Sequence, residues 1–120
     1  MISDFFAYDI ATSTLKYTSE GSAYSIHVQN LVAAQFYPEY SLIITTTQDG
    51  EKEELRGYST SGEMIFKQPA PEHYKFWYLG NDLRIAFTEK DEFAEKSGRS
   101  GWWFKINPLD GGLEKDCWAY

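Results

Sequence analysis

The residues that could do chemistry in this chain are few. Its 120 residues include two histidines, His27 and His73, and one cysteine, Cys117. A metal site needs several histidine, cysteine or carboxylate ligands that converge. No spacing here offers such a set, so neither a metal nor a cofactor is expected. His27 falls on the polar side of an alternating stretch, and His73 lies in the proline-bounded loop PAPEHY. Cys117 stands beside Lys115 and Asp116, whose charges act on its thiolate in opposite senses, and it reads as a buried or inert thiol. Ser100 in GRSGWW lacks the strand-to-helix context of a nucleophile elbow. The neighbouring pairs Glu53-Glu54 and Asp91-Glu92 would point to opposite faces of a strand, so neither makes a catalytic dyad. No glycine-rich phosphate loop is present. The chain reads as a protein without catalysis.

Binding chemistry is better represented. Two clusters interleave lysine with acids: DGEKEE (49–54) and EKDEFAEK (89–96). Neither has calcium-loop spacing, but either could steer a basic protein. The aromatic segments HYKFWY and GRSGWWFK are the other candidates. Alternation places Trp102 and Trp103 on opposite faces of a strand, and likewise Phe76 and Trp77. One of each pair then faces a surface or a second layer. Tryptophan, tyrosine and arginine anchor interfaces. The partner-binding set is therefore Glu51, Glu53, Glu54, Trp77, Arg99 and Trp103.

The formal charge of −7, from 18 acidic and 11 basic residues, argues against a nucleic-acid backbone or an anionic membrane as partner. One cysteine excludes an intrachain disulfide. The start MISDFFAYDI has no signal-peptide pattern and no stretch approaches a membrane span, so a cytoplasmic place is expected. The length fits one domain over residues 1–120.

The elements that must carry these residues read as strands. Tyr24, Ile26 and Val28 alternate with Ser25, His27 and Gln29. Leu83, Ile85 and Phe87 alternate with Arg84 and Ala86, and Trp102, Phe104 and Ile106 alternate with Trp103 and Lys105. SLIITTT (41–47) is a β-branched run covered on both faces at its start. Turn signals at Asp49-Gly50, Ser61-Gly62, Gly80-Asn81-Asp82 and Asp110-Gly111-Gly112 divide the runs. Only LVAAQFY (31–37) and EKDEFAEK have spacings that a helix could use. The expected class is all-β and mainly antiparallel, as a curved open sheet or a small sandwich.

Three places share a pattern: AYDIATSTLKY (7–17), GYSTSGEMIF (57–66) and KINPLDGGLEK (105–115). Each ends a strand at a short polar residue (Asp9, Ser59 or Asn107) able to bond the turn that follows. Ser13, Gly62 and Gly112 are placed for the awkward dihedrals. Leu15, Met64 and Leu113 then open the return strands at a constant spacing of 49, in the range of propeller blades. The hairpins resemble those of β-propeller blades of the quinoprotein and related bacterial families, with Tyr17 and Phe66 in place of tryptophan and Pro108 interrupting the third copy. A propeller closes with about four to eight blades, so a closed ring within this chain is excluded. Self-association into a ring or a covering partner remains open. In size, acidity and lack of a catalytic set the chain also resembles small bacterial immunity proteins. That resemblance implies a toxin, here a basic one, as the protein partner. The alternatives are a small-ligand or carbohydrate-binding domain and a self-associating structural subunit.

Overall fold

The computed structural model describes residues 2–72, 74–89 and 101–118. Among them every ladder is antiparallel and joins strands that are consecutive in the chain. The N-terminal sheet holds β1 (Ile2–Asp9), β2 (Thr14–Ser19) and β3 (Ser22–His27). The middle sheet holds β4 (Leu31–Tyr37), β5 (Leu42–Asp49), β6 (Lys52–Ser59) and β7 (Met64–Pro69). The C-terminal sheet holds β8 (Tyr74–Leu79), β9 (Arg84–Glu89), β10 (Gly101–Ile106) and β11 (Leu113–Trp118). One 3-10 turn, Pro38–Tyr40, links β4 to β5. The fold is all-β, and none of the three sheets closes into a barrel.

The sheets form three layers, and β5 explains why the middle one lies between the others. Its residues Leu42 to Thr47 are all buried. Alternation sends Ile43 toward one neighbour and Leu42 and Ile44 toward the other. Ile43 packs with Leu15, Tyr17, Val28 and Tyr58 against the N-terminal sheet. Leu42 and Ile44 pack with Leu55, Phe66, Ile85, Phe87 and Phe104 against the C-terminal sheet. Within the run SLIITTT, Leu42 to Thr47 are thus covered on both faces, while its first residue, Ser41, is exposed and left-handed ahead of the strand. Successive sheets approach most closely along their first strands, β1 to β4 and β4 to β8.

Residues 31–37 form a strand and not a helix. Leu31 and Ala34 are both buried toward the N-terminal sheet, a spacing that imitates a helical face. The cause is a register shift between Leu31 and Ala33, which leaves Val32 without a partner and moves the alternation by one residue. Similar shifts isolate Ile65 in β7 and Trp77 in β8. Others interrupt β1 and β11. All five strands lie at sheet edges, where a bulge discourages pairing with another chain.

The three recurring turns share their local chemistry. Asp9 Oδ1 accepts the Ala11 N–H at 2.9 Å, Ser59 Oγ accepts the Ser61 N–H at 3.3 Å, and Asn107 Oδ1 accepts the Leu109 N–H at 2.8 Å. Ser13 and Gly62 are left-handed, with φ of 52° and 91°. In the third turn the left-handed residue is Gly111, φ 75°, and not Gly112. Gly111 lies so close to the Phe66 ring that a side-chain carbon there would collide with it. The hairpins at 57–66 and 105–115 join third to fourth strands of their sheets, whereas the one at 7–17 joins first to second.

Candidate binding surface

The outer face of the C-terminal sheet is set by the β9–β10 register. Trp102 pairs with Phe87 and Phe104 with Ile85, on the core side. Trp103 pairs with Ala86, and Lys105 with Arg84, on the opposite side. The two neighbouring tryptophans therefore do separate. Trp102 packs against the core with the Lys115 ammonium 3.7 Å from its ring centroid. Trp103 faces outward.

Trp103 is held on three sides. Tyr78 meets it edge-on, with centroids 5.2 Å apart. The Arg84 guanidinium lies 4.9 Å from its ring centroid. Gly80 leaves the space its ring edge occupies, since a side-chain carbon at Gly80 would stand 2.9 Å from Trp103 Cζ3. Ala86 is fully buried, in the row between Tyr78 and Trp103. Arg84 is itself fixed by Asp82 at 2.8 Å and Asp116 at 3.3 Å. These carboxylates, Asp82 foremost, hold its guanidinium above its ordinary pKa.

A cleft of about 460 Å³ opens beside this platform, lined by Tyr40, Asp82, Arg84, Lys105, Pro108 and Asp116. A smaller pocket of about 190 Å³ adjoins it, lined by Tyr37, Glu39, Tyr40 and Asn81. Under this pocket the Tyr37 hydroxyl donates to the Gly80 carbonyl at 2.5 Å. Burial, and then the charge of Asp82, push that hydroxyl well above its usual pKa. The larger cleft can bind polar groups of either sign, because Arg84 and Lys105 stand in its wall with Asp82 and Asp116. No group of three or more His, Cys, Asp or Glu residues able to hold a metal occurs among the described residues.

The other sequence candidates lie elsewhere. Glu51 is exposed in the β5–β6 turn. Glu53 accepts the Phe76 N–H at 3.1 and 3.2 Å and so ties the middle sheet to the C-terminal one. Glu54 pairs with Arg56 at 2.6 Å. Trp77 lies in β8 at the bulge. Arg99 and His73 lie outside the described residues, as does the acidic run 90–96. His27 is exposed. Cys117 is exposed and not buried, with Sγ 3.8 Å from an Asp116 carboxylate oxygen. Sequence reasoning missed Tyr78, Arg84 and Asp82 as companions of Trp103. The outward position of Arg84 was readable from LRIAF. Its neighbours were not, because they belong to other strands.

The molecule is thus a three-layer antiparallel β protein with an aromatic, charge-framed face on one outer layer. No family model matches the chain, and neither a curated protein nor a solved structure matches it. No helix among the described residues is long and apolar enough to cross a membrane.

Proposed function

We propose that the chain is a non-catalytic protein-binding module that docks a partner on the outer face of its C-terminal sheet. The observation that carries this reading is the fixed, half-exposed Trp103 between Tyr78 and Arg84. These three residue types dominate interface energetics. Rings already held in place lose little freedom on binding. The opposite outer layer offers a contrast, for it presents Lys16, Ser25 and His27. The charge of −7 favours a basic partner through faster encounter. In its narrower form the proposal makes that partner a basic toxin, neutralised as immunity proteins neutralise theirs. The meanders that meet along their first strands support the resemblance to propeller blades.

The test is affinity capture from native lysate with wild-type protein, Trp103→Ala, and Lys16→Ala on the opposite layer as control. One stoichiometric partner should bind wild type and control alike and bind Trp103→Ala at least about tenfold more weakly. Its identity decides the toxin form. Equal binding by all three proteins would move the docking face elsewhere. Tryptophan fluorescence that responds to sugars, with no protein captured, would replace the proposal by the carbohydrate reading.

A further inference from the structure

We infer that the free edge of β3 is a second docking site, built to take one extended strand from a partner protein. This inference does not depend on the Trp103 face. Among the six edge strands of the described residues, β3 alone pairs with its neighbour without a register shift. It contains no proline, lysine or acid over Ser22–His27. The usual devices that protect an edge are therefore missing at this one place.

The backbone groups on offer can be identified. The β2–β3 turn is the two-residue pair Glu20-Gly21, left-handed at both positions with φ of 52° and 80°, and such a turn closes on a hydrogen-bonded pair. That pair is Ser19 with Ser22. At the far end the Val28 N–H donates to the Ser13 carbonyl at 2.8 Å. Both ends set the same alternation, in which even-numbered residues bond to β2. Ala23, Ser25 and His27 then direct their N–H and C=O groups away from the sheet.

The layer beneath has room for one more strand. The middle sheet has four strands and the N-terminal sheet three. Ile26 of β3 lies against Gly62, in the turn between β6 and β7. Met64 pairs with Tyr58, and Lys67 with Arg56, on the side that faces the N-terminal sheet. Met64 is 52% exposed there, and Lys67 is exposed as well. The other side of β7 has its cover, for Phe66 packs beneath Gly111. A strand added to β3 would cover Met64 and bring its inward side chains near Lys67. The occupant is thus an extended segment whose inward positions carry an apolar residue and, two residues on, an acid. A second copy fits poorly. Antiparallel pairing of two β3 edges needs a twofold axis through the sheet. That axis would bring both overhanging β7 strands to the same place.

The probe is a labelled ten-residue peptide alternating threonine with valine, with one valine position occupied by glutamate. Anisotropy should show saturable one-to-one binding, with hydrogen exchange slowed at Ala23, Ser25 and His27. Ser25→Pro removes an outward donor and should weaken binding at least about tenfold while leaving the β2 ladder intact. Lys67→Glu, folded by circular dichroism, should reverse the preference toward a peptide with lysine in place of glutamate. Binding no stronger than that of a shuffled peptide would overturn the inference. So would a wild-type dimer that Ser25→Pro dissociates.

Discussion

The two outer layers cover the same middle sheet with different chemistry. The C-terminal layer brings Phe87, Phe104, Phe76 and Tyr74 together, with ring centroids 4.8 Å apart for Phe87–Phe104 and 5.0 Å for Phe76–Phe87. The N-terminal layer brings Tyr17 and Tyr24, stacked at 5.0 Å, with Leu15, Val28 and Ala34 around them. One interlayer is hydrocarbon rich and held by edge-to-face rings. Hydroxyls line both, Thr46 and Tyr37 in the first and Thr45 and Tyr17 in the second, and the second leaves the Thr45 hydroxyl without a partner. The same meander therefore makes two unequal joints. The joint richer in rings, expected to be the stronger, stands behind Trp103, as a preformed binding surface requires.

The largest effect should come from breaking that joint. Phe87→Ala removes a fully buried ring that touches three others and should cost about 3–5 kcal/mol. Leu15→Ala is the matching cut in the N-terminal layer and should cost less than Phe87→Ala, within a range of about 2–5 kcal/mol. Urea denaturation of both variants gives the order. Equal losses would mean that the joints are equivalent and that ring geometry adds nothing.

A tyrosine crosses each joint to a turn carbonyl. Tyr37 donates to Gly80 at 2.5 Å across the C-terminal joint, and Tyr17 donates to Thr60 at 3.0 Å across the other. Tyr37→Phe strands a buried acceptor and should cost about 1–3 kcal/mol. Tyr17→Phe should cost about 0.5–1.5 kcal/mol, because the Thr60 carbonyl is only partly buried and can turn to water. Burial raises both hydroxyls above their ordinary pKa of 10.0. The folded state then keeps protons that the unfolded state releases. The contribution is whole below pH 10 and is lost as pH rises through the folded-state values. Stability measured against pH should fall above pH 10 in wild type, and less steeply in each phenylalanine variant.

Much of this fold was legible in the residues. The alternation of Leu83, Ile85 and Phe87 and the polar residues that end strands at Asp9, Ser59 and Asn107 both follow from local physics. The bulges do not. A shift of one residue at Trp77 places Tyr74 and Phe76 on the core side and turns Tyr78 to the outer face, beside Trp103. Strict alternation would have put all three tyrosine and phenylalanine rings on one side. The same kind of shift at Val32 made β4 look helical. The candidate surface was legible only as Trp103 and a readable outward Arg84. Its assembly depends on which strand pairs with which, and pairing is not written in any single strand.

The smallest effect tests why the N-terminal joint is the weaker. Thr45 is fully buried, and its hydroxyl has no hydrogen-bond partner. A hydroxyl so placed lost its water on folding and gained nothing in return. Thr45→Val keeps the β-branched shape that the strand favours and removes the stranded group. It should raise stability by about 1 kcal/mol in urea denaturation. The gain should persist when Leu15 is alanine, because the cost is desolvation of one atom and not packing against that neighbour. A loss in place of the gain would show that an internal water serves the hydroxyl. The weakness of this layer would then lie in its fewer rings and not in its polar atoms.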